Sequence, residues 1–116
     1  MTTTESVLEH HLEAFGNQDL EAVMEDYTDE STVVTNMGTF RGLEEIEGLF
    51  TNLFDEFDDP DASITMEEEL VEGEFAYIIW TAETPENDYE FATDTFHIPD
   101  ETITFQTFAG KISPKE

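Results

Sequence analysis

The chain has no cysteine, and only three of its 116 residues are basic: Arg41, Lys111 and Lys115. The first absence excludes a disulfide framework and a thiol nucleophile. The second argues against nucleic acid as a partner, because phosphate contacts need Lys and Arg, and three cannot outweigh thirty carboxylates. No apolar run approaches the roughly 20 residues that span a bilayer. The opening Met-Thr-Thr-Thr-Glu lacks the basic region and apolar stretch of a signal peptide. The expectation is a cytoplasmic protein with no membrane association. Phosphate loops and a Ser-His-Asp ordering are also missing, and no cofactor is expected.

What the chain does carry is thirty acidic side chains, a formal net charge of −27, and ten phenylalanines. A disordered acidic tail is poor in aromatics and has no apolar periodicity. This chain has both features, so it folds, and it folds against strong self-repulsion. With a Debye length of about 8 Å, as in ordinary buffer, such dense surface charge opposes compaction; near molar salt the length falls to about 3 Å and most of the repulsion is screened. The acid is spread along most of the chain, with the predicted strands 32–37 and 102–109 as the exceptions, which points to a halophilic origin. A surface built for a basic partner would concentrate its charge on one patch. One domain over residues 1–112 with a short tail at 113–116 is expected. A domain of this size buries roughly 65% of its extended surface without staples.

Thr2 or Ser6 is a candidate cap for a first helix, each with a glutamate three residues on, at Glu5 or Glu9. Val7, Leu8, His11, Leu12 and Phe15 share one helical face, and Gly16-Asn17 end it. Asp19 caps a shorter helix with Leu20, Val23, Met24 and Tyr27 as its stripe. Thr32 to Met37 is rich in β-branched residues and predicts a short strand ended by Gly38. After Gly42 the strongest helix presents Ile46, Leu49, Phe50, Leu53, Phe54 and Phe57 opposite its glutamates. Four strands are predicted after Asp58-Asp59-Pro60-Asp61, over about 62–71, 75–84, 89–98 and 102–109, with connections short enough for a mostly antiparallel meander. Helices first and strands afterwards indicate an α+β fold.

Two ionisable residues interrupt faces that should point inward. His11 lies among Leu8, Leu12 and Phe15, and Asp94 shares a strand face with Ala92, Phe96 and Ile98. A buried ionisable group needs a partner or a shifted pKa. These two can serve each other, the carboxylate fixing the imidazole tautomer. They form an acid–base pair in a cleft, form a hydrogen-bonded buried pair, or never meet. His10 diverges from His11 by about 100° on a helix and cannot share a metal ion with it in the usual way. The aspartates of 55–61 lack the spacing of a calcium loop, and no metal site is expected. His97 should face away from Asp94. Arg41 is read as a structural salt-bridge residue or a partner for an acidic ligand, and Trp80 as core or ligand platform.

Several runs resemble the nuclear transport factor 2-like superfamily, in particular its SnoaL-like branch. They are Gly16 to Leu20, Tyr27 to Val33, Phe40-Arg41-Gly42 with the helix after it, Thr93 to Phe96, and Phe108 to Ile112. The resemblance implies a cone, with helices backing a strongly curved sheet around a largely apolar pocket; many members are homodimers. Aligned with ketosteroid isomerase, Asp94 falls where that enzyme keeps a protonated aspartic acid, and His11 where it has a tyrosine donor. Its general base falls at Thr35, which takes no proton near neutral pH. The resemblance implies a lyase, isomerase or cyclase for a small apolar carbonyl compound, with Asp94 and His11 catalytic. Trp80, Phe96, Phe105, Met37 and Thr35 are its expected ligand-binding walls. The alternative is a non-catalytic dimeric binding or scaffold module, its cone filled by phenylalanine.

Overall fold

The computed structural model describes residues 3–115. Helix α1 (Thr4–Gly16) is capped by Thr3, whose hydroxyl accepts from the Ser6 amide while Ser6 Oγ accepts from the Thr3 amide. Ser6 thus completes the capping box from inside the helix, and Thr2 lies outside the described residues. Val7, Leu8, His11 and Ala14 are buried on the inner face. Gln18, at φ 59°, turns the chain into α2 (Leu20–Met24), where Asp19 accepts from the Ala22 amide as expected of an N-cap.

A hairpin replaces the single strand expected over 32–37. Strand β1 (Thr32–Thr35) turns at Asn36-Met37 into β2 (Gly38–Arg41), so Gly38, at φ 146°, begins a strand instead of ending one. Gly42, at φ 83°, then reverses the chain into α3 (Gly42–Phe57). Ile46, Phe50, Phe54 and Phe57 are buried along α3, and each such side chain contributes about 1.5–3 kcal/mol on leaving water.

Strands β3 (Ser63–Glu72), β4 (Phe75–Glu83), β5 (Asn87–His97) and β6 (Phe105–Pro114) complete a six-stranded sheet in the order β2-β1-β6-β5-β4-β3. Every pairing is antiparallel except β1 with β6. Strand β6 starts later and ends later than predicted. Ile103 looks like strand but is fully buried in the preceding loop, where its amide donates to the Asp26 carbonyl at 2.7 Å. At the other end Ser113 pairs with Asp88 and the Lys115 amide donates to the Glu86 carbonyl, where a loose tail was expected.

The sheet bends because Glu67 in β3 and Glu90 in β5 are extra residues in their ladders; such bulges curve a strand and strengthen its twist. The helices lie on the concave face, where most of the core gathers. On the convex face Tyr77, Thr95 and Thr107 align in one row and Ile79, Thr93 and Ala109 in the next. Leu70, Phe75, Phe91 and Phe105 are each about half exposed. Among the described residues no helix is long and apolar enough to cross a membrane.

Candidate active site

Inward positions of β4, β5 and β6 meet the inner faces of α1 and α3 around a cavity of about 100 Å³. Its lining is nearly all hydrocarbon, so the few polar groups that reach it stand out. Asp94 faces inward from β5, between Ile78 on β4 and Phe108 on β6. Its Oδ2 accepts from Trp80 Nε1 at 2.8 Å and its Oδ1 from Gln106 Nε2 at 3.1 Å. The Tyr27 hydroxyl donates to Gln106 Oε1, which fixes the amide's orientation. Burial raises the Asp94 carboxyl from 3.8 to about 6, and the two donors oppose that rise only in part. Burial also drives the Tyr27 phenol well above its ordinary value, so it remains a donor.

His11 reaches the same cavity from α1. Its ring meets Tyr27, Phe50 and Phe96 edge-on, with centroids 5.9, 5.7 and 5.4 Å away. Burial lowers its pKa to about 4, with His10 adding to the effect, so the imidazole is neutral at physiological pH. No hydrogen bond joins it to Asp94. The two share a cavity wall, and the direct pairing expected from the sequence is replaced by other partners. For Asp94 these are Trp80 and Gln106. For His11 the nearest carboxylate is Asp26, 3.9 Å from Nδ1.

Of the expected walls, Thr35, Met37, Trp80 and Phe96 line the cavity. Phe105 does not: period-two alternation on β6 turns Gln106 and Phe108 inward and leaves Phe105 on the convex face, 43% exposed. The Thr35 hydroxyl is engaged in its own turn, donating to the Gly38 carbonyl and accepting from the Met37 amide. Several phenylalanines border the cavity without filling it, so a cone plugged by its own side chains is not favoured. His97 stacks on Phe75 at 4.6 Å and meets Glu74 at 3.1 Å, facing away from Asp94. Among the described residues no three His, Cys, Asp or Glu side chains converge as a metal site.

Gln106 and Asp26 escaped the sequence reading, and Tyr27 was read only as part of the second helix's apolar stripe, not as a site residue. Gln106 had a signal, since it precedes Phe108, Gly110 and Ile112 at period two. Turning Phe105 inward placed Gln106 on the outer face and hid it.

A family model for the SnoaL-like domain matches residues 8–112. The chain belongs to the SnoaL-like domain family. No curated protein matches this SnoaL-like sequence. Among solved structures it is similar to an NTF2-like protein of unknown function from Cytophaga hutchinsonii, at 14% identity and a TM-score of 0.79, covering 96% of this chain and 92% of that one. A Kribbella flavida protein provisionally assigned as a ketosteroid isomerase is 9% identical over 97% of this chain and 81% of its own, at TM-score 0.77. A Sinorhizobium meliloti protein provisionally assigned as a polyketide cyclase is 15% identical over 88% and 92%, at 0.74. At these identities the likeness establishes an NTF2-like, α+β fold.

Proposed function

We propose that this SnoaL-like domain is a cofactor-independent lyase, isomerase or cyclase acting on a small apolar carbonyl compound. One observation carries the reading: a carboxyl, Asp94, is buried in the wall of an apolar cavity, where burial pushes its pKa up to about 6. In its acid form Asp94 donates to a carbonyl oxygen and stabilises the charge that develops there, where low polarity makes such a contact effective. His11, neutral on the same wall, shuttles the carbon-bound proton. Trp80 and Gln106 keep the carboxyl aimed, while Phe96, Met37 and Trp80 supply apolar contact. An engineered cavity of about 150 Å³ takes up benzene; the 100 Å³ here therefore suits a compound smaller than benzene.

A homodimer belongs to the same reading. On a chain of charge −27 most surfaces repel a second copy. Across β4, β5 and β6 the rows Tyr77-Thr95-Thr107 and Ile79-Thr93-Ala109, flanked by Phe75, Phe91 and Phe105, carry no acidic side chain, and Glu68 and Glu72 stand only at their β3 end. A second copy meets the least repulsion there.

The test is exchange of the α-protons of acetone in deuterated water, followed by NMR in molar potassium chloride. Wild-type protein is expected to accelerate exchange, more so as pH falls through about 6 and Asp94 gains its proton. Asp94→Asn is expected to lose about 100-fold or more of that acceleration with its circular dichroism unchanged. Full exchange by Asp94→Asn would remove Asp94 from the role.

A further inference from the structure

The face of His11 turned away from the cavity holds a second carboxylate. Its Nδ1 is buried and has no hydrogen-bond partner, and it faces Asp26 Oδ2 at 3.9 Å. Asp26 follows α2, and its side chain is mostly buried. His10 Nδ1 contacts both of its oxygens at 2.9 Å, and the His10 side chain is 44% exposed. A line of three titratable groups therefore runs from solvent, through Asp26, to an imidazole on the cavity wall. Nothing in the acid role of Asp94 requires this line.

We propose that Asp26 is a positioning residue that holds the proton of His11 on Nδ1 and so presents the unprotonated Nε2 to the cavity as its proton acceptor. The nitrogens lie on opposite sides of the ring's Cε1. With Nδ1 directed at Asp26, Nε2 is left to the side that lines the cavity. The electrostatics favour one tautomer: a bare Nδ1 lone pair facing a carboxylate is repulsive, whereas an N–H facing it is attractive. A separation of 3.9 Å exceeds a hydrogen bond, and catalytic contacts of this kind tighten when substrate binds. The arrangement supplies the base that Thr35 cannot.

The inference rests on the acid–base reading of this cavity and completes it. The substrate's α-carbon gives its proton to His11 Nε2, its C–H electron pair becomes the C=C bond of an enol, and the carbonyl oxygen takes the Asp94 proton. The cavity then holds an imidazolium and a carboxylate. Return of a proton from His11 to carbon and from the enol oxygen to Asp94 restores both groups, with no other reactant. The imidazolium formed midway faces the Asp26 carboxylate. Other charged or titratable groups around the pair are His10 and Glu13 on α1, Glu25 beside Asp26, and Tyr27, which in turn feels Asp94.

Long-range ¹⁵N–¹H NMR of histidine-labelled full-length protein, without substrate, tests this. His11 is expected as a single neutral tautomer, protonated at Nδ1, from pH 8 down to 5. Asp26→Asn is expected to lose that single-tautomer signature and give a mixture. An Nε2-protonated His11 in the wild type would overturn the proposal, and so would an unchanged His11 spectrum in Asp26→Asn. Should Asp26→Asn not fold, the wild-type tautomer decides alone. The readout is independent of turnover: full proton exchange by Asp94→Asn removes the acid role and leaves the His11 tautomer prediction standing.

Discussion

Asp94 and His11 are displaced by the same cause, burial, in opposite directions, and both displacements favour the uncharged form. Their effects on stability therefore oppose one another. Asp94 holds its proton up to about 6 in the folded state, against 3.8 when unfolded, so its contribution is present at low pH and is lost as pH rises from about 4 to 6. His11 binds a proton only near 4 when folded but at 6.5 when unfolded, so its contribution is present above 6.5 and is lost as pH falls towards 4. Each displacement corresponds to something on the order of 3 kcal/mol, and over the shared window they largely cancel. Asp94→Asn is expected to lose stability relative to wild type as pH falls from 6.5 to 4. His11→Gln should lose stability relative to wild type as pH rises from 4 to 6. Denaturant titrations at several pH values in molar salt would check this; curves parallel to wild type would refute it.

Among the elements, the least obvious fastening is a single side chain near the end of α3. Glu56 accepts from Thr84 Oγ1 at 2.8 Å, Asn87 Nδ2 at 2.9 Å and the Tyr89 hydroxyl at 2.8 Å, so it ties that helix to the β4–β5 turn. Glu56→Ala leaves three donors without their acceptor and is expected to cost about 1–3 kcal/mol, read as a lower urea midpoint. A midpoint at the wild-type value would mean that water replaces the carboxylate without loss. The elements also mark how far the sequence could be read. Helix α3 was legible because its apolar residues recur at helical spacing and its inner face is buried. Asp94 and His11 were legible because each interrupts such a pattern. The β1–β2 hairpin was not, since Gly38 reads equally as a strand end and a strand start. Ile103 misled for a related reason: its alternation with Phe105 mimics a strand, while its backbone is held by Asp26, 77 positions earlier in the chain. Asp26 itself breaks no apolar stripe, so only the fold brings it to His11.

At the scale of the whole molecule, thirty carboxylates are tolerated because few of them are buried. Asp26 and Asp94 are the acidic residues that count as buried among those described. The other acidic residues among those described are partly or fully exposed, where screening governs the balance. Thermal stability is therefore expected to rise through the molar range of potassium chloride, and the uncharged rows of the convex face to join two copies under the same conditions. Light scattering should report a dimer in molar salt, and Phe91→Glu should return a monomer with an unchanged circular dichroism spectrum and a lower melting temperature. A melt that is flat or falls with salt would count against halophilic adaptation. A wild-type monomer in molar salt would count against the dimer.

Glu90, the extra residue of β5, has a consequence for how such a pocket can change over generations. Tyr89 and Ala92 both face the concave side, and Phe91 the convex side. Removing Glu90 would leave a regularly alternating strand with each of these side chains on its present face. Only the bend would be lost. The breadth of the cavity and the chemistry of its wall are thus written in different letters. An insertion or deletion at one surface glutamate can widen or narrow the chamber while Asp94, Gln106 and Trp80 stay in register, so the site can be refitted to a new guest without being rebuilt.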